Sequence, residues 1–167
     1  MSTTPTHPNR KAKNRLLLLL GIAVIAGSIG VALLFGEKSP IIASGSVILP
    51  ENLTPQAQGM RTLYIIVRDA ESPMPMPWGA LVTTLQEDPK GRVYSFLLTR
   101  ENLRIMNPGA EPPKNLQLKA RLDMDGMGGA DTQGDIVGLI KSVPFGTQNI
   151  EIQLTNLITE VGPATGP

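Results

Sequence analysis

RTLYIIVR, residues Arg61–Arg68, is the stretch that decides the fold. β-branched and aromatic side chains run through it, the composition that fits a pleated and packed strand. Segments of the same kind lie on both sides. GSVIL (Gly45–Leu49) comes before it and is stopped by Pro50, and WGALVTTL (Trp78–Leu85) comes after a PMPMP run. RVYSFLL (Arg92–Leu98) is next, beyond Asp88-Pro89-Lys90-Gly91. That tetrapeptide has Pro where a type I turn presets φ and Gly at its fourth place. It predicts a hairpin between Trp78–Leu85 and Arg92–Leu98.

LQLKARLD (Leu116–Asp123) alternates apolar and polar residues, as a half-buried strand does. Ile136–Val143 and NIEIQLTNLI (Asn149–Ile158) complete the set, the last again alternating. Seven strands, spaced about a dozen residues apart with Pro and Gly between them, predict an all-β sandwich. Thr99–Met106 predicts one helical turn. Prolines 108, 112 and 113 then call for an extended loop.

Upstream lies LLLLLGIAVIAGSIGVALLF, Leu16–Phe35, twenty residues without a charge. As a helix it spans roughly 30 Å, the thickness of a bilayer's hydrocarbon core. In lipid every backbone polar group needs an internal partner, so the segment is expected to be a transmembrane helix. Arg10, Lys11, Lys13 and Arg15 stand immediately before it and no acidic residue precedes it. The positive-inside rule then holds the N-terminus in the cytoplasm and exports the chain beyond Phe35. A cleaved signal peptide has a shorter apolar core and a small-x-small cleavage site, which Gly-Glu-Lys-Ser-Pro after Phe35 does not offer. An uncleaved, single-pass signal anchor in the cytoplasmic (inner) membrane is the expectation. Pairs such as Ala23/Gly27 are small-residue spacings that also admit a second helix.

The organisation expected is a basic cytoplasmic stub (1–15), a transmembrane helix (16–36), a linker (37–43), a β-sandwich domain (44–160) and a flexible tail (161–167). Of the chain's 15 Lys and Arg, four lie in the stub, leaving 11 against 14 Asp and Glu. The exported part thus carries a net −3, which argues against nucleic acid or anionic lipid as its target. Cysteine is absent, so disulfides, thiol chemistry and haem attachment are excluded. The single histidine, His7, falls in the stub. With no Cys or His in the domain and no nucleophile spaced against a base, a non-enzymatic role is expected.

Four stretches of the domain together resemble one family. LYIIVRDAESPMPMPWGALV is similar to the stretch of the CycH/CcmI cytochrome c-type biogenesis proteins in which a strand ending in Arg leads into a Pro-rich loop and a second strand. The spacing Phe96…Met106…Pro108-Gly109 is similar as well. ARLDMDG (Ala120–Gly126) with GDIVG (Gly134–Gly138) after it resembles that family's AR-x-S-x-SG…GDL-x-G, and SGSVILPENL (Ser44–Leu53) matches the strand that opens the same domain. The resemblance covers about residues 42–158. It implies an Ig-like sandwich and a part in maturing c-type cytochromes outside the cytoplasmic membrane. In that family the domain accompanies tetratricopeptide repeats, and together they engage apocytochrome or the haem-ligation complex. Here there is one expected span rather than two, and nothing reads as a 34-residue helical repeat. An accessory subunit with a protein partner is what this implies.

The candidate contact residues are Met74, Met76 and Trp78 around PMPMP, with Asp123, Asp125, Asp131 and Asp135 in the loop DMDGMGGADTQGD. Methionines make adaptable partner surfaces, and Trp78 is also the kind of residue that fills a core. Read as an EF-hand beginning at Asp123, that loop has Met127 at place five and Gly134 at place twelve, so it lacks the bidentate acid. It reads equally as a Gly-rich connection whose Asp side chains cap turns. The thioethers of Met74, Met76, Met124 and Met127 offer soft ligands for Cu(I), the alternative from another class, and a structural membrane anchor subunit is the third reading. No cofactor is expected.

Overall fold

The computed structural model describes residues 39–73 and 76–160. The expected span Leu16–Phe35, the stub, Met74 and the tail from 161 lie outside the described residues. Among the described residues no helix is long and apolar enough to cross a membrane.

The fold is all-β, in two sheets. The strands are β1 (Ala43–Leu49), β2 (Thr62–Asp69), β3 (Gly79–Thr84), β4 (Gly91–Leu98), β5 (Arg104–Ile105), β6 (Asn115–Asp123), β7 (Ile136–Pro144), β8 (Thr147–Gln153) and β9 (Asn156–Leu157). One sheet is ordered β4-β1-β8 and the other β5-β3-β2-β6-β7-β9. β1 runs antiparallel to β4 and parallel to β8, while every pairing in the larger sheet is antiparallel. Two single 3-10 turns, Glu51–Leu53 and Pro55–Ala57, come after β1. The helical turn expected near Thr99 is a single one, closed by Leu103 N–H donating to Thr99 O at 3.2 Å.

Alternation along the strands makes one shared core. Leu63, Ile65 and Val67 of β2 and Leu116, Leu118, Ala120 and Leu122 of β6 face inward. They join one buried cluster with Val47 and Leu49 of β1, Phe96 and Leu98 of β4, and Ile150 and Ile152 of β8. Ile42, just before β1, is buried in the same cluster.

Two sequence expectations are corrected by the pairing. The Asp88–Gly91 turn does not close a hairpin: β3 pairs with β2 and β5, and β4 pairs with β1. The turn carries the chain from one sheet to the other. Its aspartate is held from outside, since Asp88 Oδ1 accepts the Gly59 N–H at 3.1 Å and pairs with Arg61 at 3.0 Å. Turn residues fix only the local bend; the strand partner is set by the core on either side.

Asn149–Ile158 is likewise not one strand. Leu154 N–H bonds Ile48 O in the small sheet at 2.9 Å, and Thr155 N–H bonds Val137 O in the large sheet at 3.0 Å. Consecutive residues therefore serve different sheets, with the buried Leu154 side chain in the core. The alternation of this segment continues across the crossing, which is why one period hid two strands.

At that crossing β7 passes very close to the chain. A Cβ on Gly138 would overlap the carbonyl of Gln153. Because the obstacle is backbone, it cannot rotate away. Gly138→Ala is expected to lower the unfolding free energy by about 1–3 kcal/mol. Gly109→Ala, near only the Asn107 side chain, is expected to change it little. Urea unfolding of the full chain monitored by Trp78 fluorescence measures both.

Candidate binding groove

The outer face of the larger sheet is built by register. Directly opposed residues point to the same side of a sheet, so Arg104, Ala80, Ile66, Lys119 and Leu139 form one row across β5, β3, β2, β6 and β7. Val82, Tyr64, Arg121 and Val137 form the next row, and Arg68 opposes Gln117 beyond. A strand's outward side is usually its wet side. Here it carries Ile66, Ala80, Val137, Val82 and Leu139, of which the last two are half exposed.

Half of that face is roofed by the loop between β6 and β7, and Arg121 is the reason. Its side chain is 1% exposed although it points away from the core. One terminal nitrogen, Nη1, donates to Gly129 O at 3.0 Å and Ala130 O at 2.9 Å, and the other, Nη2, to Met127 O at 3.4 Å. Nη2 lies 2.8 Å from Asp123, and Nη1 lies 3.6 Å from Asp131 and 3.8 Å from Asp135. The guanidinium also stacks over the Tyr64 ring, 4.6 Å from its centre. A planar, five-donor cation can hold a loop backbone, carboxylates and an aromatic face at once; lysine cannot.

The four loop aspartates each have a partner within the fold. Asp123 Oδ1 accepts the Gly126 N–H at 2.5 Å, and Asp125 Oδ1 accepts the Met127 N–H at 2.8 Å. Asp135 accepts from the Met124 and Thr132 N–H groups at 3.0 and 2.8 Å. Asp131 is bound by Lys119. Among the described residues no three acidic side chains converge as metal ligands.

Asp123 Oδ2 touches Arg121 as a charge but lacks an aligned hydrogen bond. Burial pushes the Asp123 carboxyl above its ordinary value of 3.8, and the Asp135 charge and the bond to Asp125 push the same way. Arg121 and the Gly126 N–H oppose the shift and are outweighed.

Beside the roof the face is open. A groove of about 460 Å³ is lined by Tyr64, Ile66, Ala80, Val82, Arg68 and Arg104, with Arg121 and Gly128–Ala130 at the loop end. Pro77 and Met106 line it and also line an adjoining hollow of about 250 Å³ with Met76, Trp78, Asn107 and Ala110. The segment after β4 is fixed by Arg100, which donates to Pro108 O at 2.6 Å and Ala110 O at 3.2 Å and lies over Trp78.

Three buried N–H donors have no acceptor among the described residues: Arg68 Nε, Arg121 Nε and Trp78 Nε1. All three belong to side chains lining this groove and hollow. Each of these atoms is closed to solvent, so they belong to the packing of the walls and are not offered to the groove. Neither Arg68 nor Arg104 has an ion-pair partner among the described residues.

Of the residues singled out in the sequence, Met76 and Trp78 line the hollow, Met76 exposed and Trp78 9% exposed. Trp78 is both core and lining. Asp123, Asp125, Asp131 and Asp135 do not face the groove as ligands; they brace the loop that ends it. Arg68, Arg104, Arg121, Ile66, Val82 and Met106 were missed. One signal was present: outward positions of RTLYIIVR and LQLKARLD hold Ile66, Arg68 and Arg121, an apolar and cationic mixture unusual on a wet face.

No family model matches the chain, and no curated protein or solved structure is significantly similar to it.

Removing Arg121 leaves Asp123 and Asp135 buried without their cation. Arg121→Gln is expected to cost about 3–5 kcal/mol and to strip hydrogen-exchange protection from the 126–132 amides. Asp123 gives a pH signature. Its folded pKa is raised, so its contribution to stability is full below about 3.8 and is lost as pH rises through the folded value. Asp123→Asn lacks that loss, so its stability relative to the native chain is expected to rise as pH climbs above about 3.8. Urea melts of both proteins across that range check the sign.

Proposed function

We propose that this protein is a non-catalytic binding module, held in the cytoplasmic membrane by Leu16–Phe35, that presents an Ig-like β-domain in the periplasm to a protein partner. The observation that carries this is the open groove of about 460 Å³ on the outer sheet face, lined by Ile66, Ala80, Val82 and Met106 beside Arg68 and Arg104. Such a surface buries its apolar area only when something lies on it. A groove on a sheet face, flanked by the adaptable Met76 and Met106 side chains, suits a polypeptide. The basic flank of the apolar run supports the orientation.

The partner proposed is a component of c-type cytochrome maturation, either apocytochrome or the haem-ligation complex, with this chain as an accessory subunit. The support is the likeness of four ordered stretches between residues 42 and 158 to the CycH/CcmI proteins. Two of those stretches supply the groove: LYIIVRDAESPMPMPWGALV gives β2, β3 and the Met76–Trp78 wall, and ARLDMDG gives Arg121 and the start of its loop.

Affinity purification of the full chain from native membranes is expected to retain haem-ligation components or apocytochrome c. Val82→Asp places a charge on the exposed floor of the groove and is expected to abolish that retention without unfolding the domain. Retention unchanged in Val82→Asp, or no maturation component retained by the native chain, overturns the proposal.

A further inference from the structure

We propose that the groove is specific for an acidic polypeptide segment, seating a carboxylate between Arg68 and Arg104 and a neighbouring apolar side chain on Ile66, Val82 and Met106. This rests on the reading of the groove as the partner-binding surface and names the chemistry it selects.

The charge distribution is the first ground. Residues 37–167 carry a net −3, yet the open part of this face holds two arginines without an anion among the described residues. Of the other arginines, Arg61 pairs with Asp88, Arg100 with two carbonyls and Arg121 with its aspartates, while Arg92 on β4 also has no ion pair among the described residues. Asp69, on the wall of the adjoining hollow, accepts the Glu71 N–H at 2.9 Å. What sets Arg68 and Arg104 apart is that both line one groove, a local concentration of positive charge on a net acidic domain and the pattern that selects a complementary partner.

Guanidinium chemistry is the second ground. Arg68 is half-buried and Arg104 exposed, and both line the groove. A guanidinium presents parallel N–H groups, the geometry that a carboxylate meets with two oxygens. A polypeptide supplies that carboxylate. A long nucleic acid brings acceptors too, but the net −3 of the domain repels a polyanion.

Apolar contact is the third. Ile66 and Ala80 are directly opposed, with Arg104 beside Ala80 and Arg68 two residues along β2 from Ile66; Val82, opposite Tyr64, extends the strip away from Arg68, and Met106 lines it. A purely acidic segment leaves that strip wet. An acidic residue next to a leucine or valine satisfies both.

The test uses the full chain in a neutral detergent and two fluorescein-labelled hexapeptides, one alternating leucine with glutamate and one alternating leucine with glutamine. Anisotropy titrations are expected to show the glutamate peptide binding at least about tenfold more tightly, with the advantage shrinking from about 50 to about 300 mM salt. Arg68→Gln combined with Arg104→Gln is expected to remove that advantage and leave glutamine-peptide binding as it was. Lys90→Gln, which removes an exposed cation elsewhere, is expected to keep it. Equal binding of the two peptides, or a preference that survives the double substitution, overturns the proposal. So does decanoate displacing the glutamate peptide at equal concentration, which makes the groove a site for small anionic amphiphiles. If Val82→Asp still abolishes retention of the native partner while the two peptides bind alike, the partner surface stands and the acidic preference alone falls.

Discussion

The structure around the site depends on one side chain, the guanidinium of Arg121. It projects from β6 on the side of the sheet away from the core, where a charge would normally be in water. Instead it is enclosed by three loop carbonyls, three carboxylates and the Tyr64 ring. A buried cation is tolerated only when its donors and its charge are both answered. The thirteen residues from Asp123 to Asp135 supply those answers, with Gly126, Gly129 and Gly134 taking the left-handed backbone conformations that bend the chain around the cation. The loop therefore has a fixed shape without any secondary structure of its own. It also has a fixed limit, ending over Gly128–Ala130.

That limit creates the groove. The outer face carries apolar residues across all of its central strands, but the loop covers only the part above Arg121. Tyr64, Ile66, Ala80 and Val82 stay outside the roof. The opposite wall comes from the segment after β4, pinned where Arg100 spans the carbonyls of Pro108 and Ala110. Both walls are thus held by arginines bonded to backbone carbonyls. Arg68 and Arg104 line the space between these walls and have no ion-pair partner among the described residues. Walls held in this way keep the groove preorganised, which lowers the ordering cost of binding.

The sheets themselves are tied by the passage from β8 to β9. One strand-like run bonds first to β1 and then, after Leu154, to β7. The chain thereby closes one end of the core with its own backbone, and Gly138 permits the approach.

The sequence by itself determined the strands. β-branched content, two-residue alternation and the Pro and Gly punctuation are local properties, and they located the long strands up to β7 within a few residues but merged β8 with β9. They also determined the absence of cysteine chemistry and the surplus of acid in residues 37–167. Trp78 and Met76 stood out because of their kind and their neighbours. Which strand pairs with which was decided only by the tertiary structure. Asp88–Gly91 has the same turn chemistry whether it joins neighbours or crosses between sheets, because partner choice depends on the core beyond both ends. The role of the aspartates was hidden for a similar reason. Asp residues in a Gly-rich loop read as turn caps, and nothing in their spacing shows that three of them converge on Arg121 from the preceding strand. The groove was invisible because it is a space, made of residues from separate strands and loops that no sequence spacing links.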